Sequence, residues 1–142
     1  MFRKQKYEDR LAAWRDFRNE LEISNDPIQD TIDFFKEVPL TTYQTDPYDP
    51  SRWPSPWEMV QENIYCPFVK ILGICYTLQL TDCLKHEVFE IHIEHDYEDS
   101  ATYYLLYVGD RVVGFTKDSH VHRSSLPDSI KPQEIHVMQP LQ

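Results

Sequence analysis

The chain has 142 residues, with 24 acidic and 14 basic side chains and a formal charge of −10. This length suits one domain with a single core, so we predict one domain over 1–142. The negative charge repels a phosphate backbone, and no nucleic-acid partner is expected. With only three glycines and no phosphate-binding motif, no cofactor is expected either. The acidic surface either faces solvent or contacts a basic partner.

The three cysteines, Cys66, Cys75 and Cys83, form no C-x-x-C pair, which argues against a zinc ribbon or a redox motif. They suit a reducing compartment, where a buried cysteine acts as a small hydrophobe. The N-terminal MFRKQKYEDR is not followed by an apolar segment, so no secretory signal is expected. The longest apolar stretch, 68–80, is too short to span a bilayer, and no membrane contact is predicted.

A helical hairpin is predicted over 6–37. In its first helix, large apolar side chains recur every three or four positions. Trp14 and Phe17 belong to this series, and they either pack in the core or anchor another subunit. The second helix begins at Pro27, with Asp26 as its N-cap.

A loop rich in proline and aromatic residues is predicted over 38–55. Its prolines exclude a regular helix and favour extended backbone before each of them. A loop of this length is functional or packs on the surface through its own rings. A lid over the core and a contact surface for another chain both remain open. The predicted interface residues of the chain are Tyr43, Tyr48, Arg52, Trp53, Trp57, Trp14 and Phe17.

Two core helices are predicted over 56–80. Ser55 and Glu58 have the spacing of a capping box, with Pro56 at the first helical position. A second helix starts at Pro67, and its broad apolar surface indicates burial on more than one side. Gly73 inside this helix predicts the close approach of another backbone.

An antiparallel sheet of three or four strands is predicted over 88–138, because the apolar period changes from helical to two at Val88. Gly109-Asp110 marks a tight hairpin between the second and third strands. A third strand is expected at 111–116 and an edge strand at 134–138. The sequence therefore predicts an α+β fold, in which the helix from Pro67 packs on an antiparallel meander.

A thiol nucleophile is one candidate chemistry, since Cys66 stands where a helix begins. A cysteine at a helix start followed by antiparallel strands resembles the transglutaminase-like and papain-like arrangement. That arrangement implies a histidine at the start of the strand after the helix, but the strand 102–106 has none. An enzyme of this kind would use Cys66, His92 and Asp110. Packing is the preferred interpretation of Cys66, and we assign no catalytic residue.

Metal binding is a second candidate chemistry. Residues i and i+2 share one face of a strand, so His92 with Glu94, or His120 with His122, can in principle chelate an ion. No complete ligand spacing is present. Side chains on an exposed strand face are the simpler interpretation, and no metal is predicted.

The run DPYDPSRWPSPWEMVQENIYCPFVKILGICYTLQLTD, followed by FEIHI and YYLLYVGDRVVGF, resembles a small structural-protein family of tailed myophages of marine cyanobacteria. The likeness extends to LAAWRDFRNELE and DPIQDTIDFF, and it carries no enzymatic motif. It implies a non-enzymatic component of the virion neck, tail or baseplate. Such a component is made in the host cytoplasm and contacts other virion proteins or copies of itself. A small host-directed binding protein made during infection is the other implied possibility.

Overall fold

The computed structural model describes residues 1–141 and confirms the α+β class. The helices and strands follow one another along the chain. They are α1 (Tyr7–Leu21), α2 (Pro27–Phe35), α3 (Pro56–Glu62), α4 (Pro67–Gln79), β1 (Phe89–Asp96), β2 (Ala101–Val108), β3 (Arg111–Val113), β4 (Val121–His122) and β5 (Ile130–Val137). Short 3-10 turns lie at Pro50–Arg52, between α2 and α3, and at Arg123–Ser125, between β4 and β5.

Proline at the first position starts three of the helices, where its missing N–H removes no hydrogen bond. Asp26 caps α2 by accepting a hydrogen bond from the Gln29 backbone N–H. Ser55 and Glu58 form the predicted capping box of α3.

The sheet has five antiparallel strands in the order β4-β3-β2-β1-β5. The prediction of three or four strands in a meander is therefore wrong in two respects. Strand β4 has only two residues, too few for a periodic pattern, and it lies between the two segments, 111–116 and 134–138, that we predicted as strands. Strand β5 begins earlier than expected and returns to pair with β1 at the far edge.

The two faces of the sheet are built differently. The helix face carries Phe89, Ile91 and Leu106, which join α4 in the main hydrophobic core. The opposite face carries a small apolar cluster around Leu105 and Tyr107, covered in part by the segment 115–126. Strand alternation explains the division, because neighbouring residues of a strand point to opposite faces.

The packing of the helices differs from two of our expectations, which concern Trp14 and Gly73. Trp14 is fully buried, and its indole Nε1 donates a hydrogen bond to Thr77 Oγ1 at 2.9 Å. Trp14 is therefore a core residue, and the prediction that it lies at an interface with another chain is wrong. Gly73 is needed because a Cβ there would lie 2.5 Å from the Phe35 ring. The close neighbour is thus a side chain and not the backbone that we expected.

The loop 38–55 is held on the helical layer at both ends. Leu40 forms a parallel bridge with Tyr65, and the Thr41 N–H donates to the Tyr65 carbonyl at 2.8 Å. Further on, the Trp53 ring packs between Phe68 and His136, with centroid distances of 5.0 and 4.9 Å. Within residues 1–141, no helix is long and apolar enough to cross a membrane.

Candidate functional site

The loop and the start of α3 present aromatic side chains to solvent. Tyr43, Tyr48 and Trp57 expose 67, 53 and 44% of their surface, respectively. The Arg52 side chain is also exposed, and it forms an ion pair with Asp49 at 3.3 Å. We name these four residues, Tyr43, Tyr48, Arg52 and Trp57, the loop surface. Trp53 is half-buried under the loop and supports it from inside.

Local hydrogen bonds fix the shape of the loop surface. Asp46 Oδ1 accepts from the Tyr48 N–H at 2.9 Å, and the Asp46 carbonyl accepts from Trp53 Nε1 at 3.2 Å. Asp49 caps the following 3-10 turn by accepting from the Ser51 N–H. These Asx turns and the prolines around them leave the backbone little freedom to lose when a partner binds.

Phe17, the other predicted interface residue of α1, is half-buried and stacks on Phe34 at a centroid distance of 3.9 Å. This contact joins α1 to α2. Most of the Phe17 ring is therefore used within the chain.

The proposed cysteine site is not assembled. Cys66 is buried in the main core on the helix face, at the start of α4. His92 points to the opposite face, where its ring stacks on Tyr107 at 3.9 Å. The sheet lies between them, and Asp110 contacts His122 instead. The structure therefore does not bring together Cys66, His92 and Asp110, the residues that a cysteine enzyme would use.

His92 is the centre of a charged network on the opposite face. Its Nδ1 lies 2.8 Å from Glu94 Oε2, and its Nε2 lies 2.8 Å from Glu90 Oε1. The Tyr107 hydroxyl donates to the same Glu94 oxygen at 2.6 Å. The Arg123 guanidinium lies over the Tyr107 ring, 4.7 Å from its centre.

The electrostatics of this network follow from its contacts. Burial alone would raise the pKa of Glu94, but hydrogen bonds from His92 and Tyr107 and the nearby positive charges hold that pKa below its usual value. Burial and the hydrogen bond to Glu94 raise the pKa of Tyr107, so the phenol stays protonated. The network thus stabilises an ionised carboxylate, and its groups satisfy one another.

His120 and His122, the second pair considered as possible metal ligands, contact different partners. His120 accepts a hydrogen bond from Arg111 Nε at 2.8 Å and contacts the Asp26 carboxylate at 2.9 Å. His122 instead contacts Asp110 and Ser124. Within residues 1–141, no group of three or more histidine, cysteine or acidic side chains is placed to hold a metal ion.

Asp110, His122 and Ser124 have the residue types of a hydrolase triad. The His122 Nε2 to Asp110 Oδ2 distance is 3.2 Å, and Nδ1 lies 2.8 Å from Ser124 Oγ. However, the Ser124 backbone N–H also donates to Nδ1 at 3.1 Å, so the imidazole caps the 3-10 turn that follows. All three side chains are exposed, and the contact is a local cap.

Comparisons with known proteins add no relative to this description. A scan against models of protein families finds no match, and no curated protein is significantly similar to the chain. The function is therefore argued from the surface and from the sequence resemblance described above.

Proposed function

We propose that the chain is a non-enzymatic structural or assembly component of a tailed-phage virion, placed in its neck, tail or baseplate. It acts through contacts with other virion proteins. The exposed aromatic loop surface carries this proposal, and the resemblance to myophage structural proteins supplies the phage context. The loop surface and the resemblance both support a protein that acts by binding other proteins.

The loop surface has the composition of a binding surface. Tyrosine, tryptophan and arginine dominate the energy of protein interfaces because they combine large contact area with hydrogen-bonding groups. Here three such rings are exposed to solvent, and hydrogen bonds of Asp46 hold the loop backbone around Tyr48 and Trp53. Binding therefore costs little conformational entropy, and burying these rings is favourable.

Mass spectrometry of purified particles tests the proposal. We expect the chain in intact virions at a fixed ratio to a known structural protein. The double change Tyr43→Ala and Tyr48→Ala should lower its incorporation, whereas Ile23→Ala, which truncates an exposed residue after α1, should not. Unfolding measurements on the purified variants check that both keep the fold.

Two results would count against a virion component. Absence of the chain from washed particles would favour a host-directed binding protein, which can use the same surface. Equal incorporation of the double variant and wild type would keep the virion location but remove the loop surface as the contact.

Thiol labelling tests the cysteine-enzyme alternative. Cys66 and Cys75 are buried, whereas Cys83 is exposed, so native protein should be alkylated by iodoacetamide at Cys83 alone. Although the residue is exposed, partial burial of its thiol and the nearby Glu22 carboxylate raise the pKa of Cys83, so this reaction should be slow at neutral pH. Rapid alkylation of Cys66 that is lost in His92→Ala would restore the enzyme hypothesis.

A further inference from the structure

A cavity of about 260 Å³ opens between α2, α4 and strands β2 and β3. Its walls are largely apolar, with Ile32, Ile71 and Tyr104 among them, and Lys70 and Lys117 also line it. Leu40, at the start of the loop 38–55, lines the same opening. The cavity is therefore an apolar site with two cationic groups, in a chain whose net charge is −10.

Lys70 is placed where its charge is unfavourable. It is half-buried in the first turns of α4, close to the positive end of the helix dipole. Burial and the nearby Lys117 and Lys36 lower its pKa, and only Asp118 acts in the other direction. No carboxylate of residues 1–141 lies within 4.0 Å of the Lys70 or Lys117 ammonium. An anion from outside the chain would relieve this local repulsion.

The size of the cavity limits what it can hold. A cavity of about 150 Å³ lined by apolar side chains can bind benzene, and this one is larger, at about 260 Å³. It therefore has room for one aromatic ring. With two ammonium groups beside it, the matching occupant is an aromatic side chain next to carboxylates.

The turn between β1 and β2 presents such a group. Tyr97 exposes 63% of its surface, and Glu98 and Asp99, which follow it, are exposed as well. The buried Asp96 carboxylate accepts hydrogen bonds from the Glu98 and Asp99 N–H groups at 2.9 and 3.3 Å. The Tyr97 ring lies edge-on to His95 at a centroid distance of 4.8 Å, and its hydroxyl accepts a hydrogen bond from Gln133 at 3.0 Å. The turn is thus held in one shape, with most of the ring and both charges exposed to solvent. We name residues 97–99 the acidic turn.

We propose that the cavity beside Lys70 and Lys117 binds the acidic turn of a second copy of this chain, with the Tyr97 ring inside and the Glu98 and Asp99 carboxylates on the lysines. This inference names one partner for the assembly role proposed above, and to that extent it rests on it. The cavity and the acidic turn share no residue, so each copy offers one of each. Repeated head-to-tail, the contact gives a ring or a filament.

Charge exchange tests the contact by sedimentation of the purified chain over a range of concentrations. Variant A carries Lys70→Glu and Lys117→Glu, and variant B carries Glu98→Lys and Asp99→Lys. Each alone should stay monomeric, because like charges meet. Mixing A with B should restore association, since every cavity then meets a turn of opposite charge.

Tyr97→Ala gives an independent test that leaves the cavity unchanged. It should weaken association about tenfold or more, as expected for the loss of a central aromatic anchor. Added salt should weaken the wild-type contact as well. Circular dichroism of each variant establishes that it is folded before its mass is measured.

A wild-type chain that remains monomeric at every concentration would overturn the inference, as would failure of a folded A and B to associate. Neither result affects the virion proposal, which depends on particle composition. Conversely, self-association of a chain that is absent from particles would support this contact and contradict the virion role.

Discussion

The helix face and the opposite face of the sheet show two ways of burying a strand. On the helix face, Ile91 is fully buried against the main core that includes α4. On the opposite face, the neighbouring His92 is also buried, but by carboxylates and a stacked phenol. The first arrangement depends on removing apolar surface from water, and the second depends on matching every buried polar group with a partner.

The difference extends to the edge strand. Ile135 of β5 pairs with His92 of β1 and so points to the opposite face, where half of its surface is exposed. Within the part of the chain that the structure describes, the apolar cluster on this face has only three buried residues, Leu105, Tyr107 and Val112. Apolar side chains should therefore dominate stability on one face, while polar contacts contribute smaller amounts on the other.

The largest loss of stability is expected from Ile91→Ala, and Ile135→Ala is its matched control. Ile91→Ala leaves a cavity in the core and should lower the free energy of unfolding by about 2–5 kcal/mol. Ile135→Ala removes the same atoms from a half-exposed site and should change it by less than about 0.5 kcal/mol. Urea unfolding at neutral pH measures both. Equal losses would show that the opposite face is covered as well as the helix face.

An intermediate effect is expected at Glu94. Glu94→Gln removes a buried charge that accepts hydrogen bonds from His92 and Tyr107, and it should cost about 1–3 kcal/mol. Glu90→Gln is the control. Its carboxylate contacts only the outer nitrogen of His92 and is more exposed, so its loss should cost below about 1 kcal/mol.

The pH dependence of Glu94→Gln follows from the lowered pKa of Glu94. A carboxyl group whose pKa is lower in the folded state stabilises the fold above its unfolded pKa, about 4.3. This contribution is lost as the pH falls through the folded value. The difference in unfolding free energy between wild type and Glu94→Gln should therefore narrow below about pH 4. A difference that is constant from pH 7 to acid would contradict the ionised state of Glu94.

Local signals in the sequence predicted the helix starts well. Asp26-Pro27 and Ser55-Pro56 bring a cap and a proline together, and both begin a helix in the structure. The α+β class and the two-residue hairpin at Gly109-Asp110 were predicted for the same reason, because each depends on neighbouring residues. Gly109 has a φ of 57°, which suits its place in that tight turn.

Contacts between distant segments could not be predicted in this way. The sequence places His92 and Glu94 on one face of a strand, but only the pairing of β1 with β2 brings Tyr107 to them. Trp14 has the size and helical spacing of an anchor for another subunit, and its burial depends on α3 and α4 covering it. The cavity beside Lys70 likewise needs four separate elements, α2, α4, β2 and β3, so no single pattern in the sequence indicates it.

The smallest effect is expected at Arg123, which covers the polar network from the solvent side. Its guanidinium lies 4.7 Å from the centre of the Tyr107 ring, and exposed contacts of this kind contribute about 0.5–1 kcal/mol. Arg123→Ala should lower stability by that amount, whereas Arg52→Ala, which removes an exposed ion pair, should have a smaller effect. Urea unfolding compares the two variants. A loss at Arg123 as large as that at Ile91 would mean that the segment 115–126 stabilises the opposite face as strongly as α4 stabilises the helix face. Because that segment packs only a small cluster around Leu105, we expect the two losses to differ clearly.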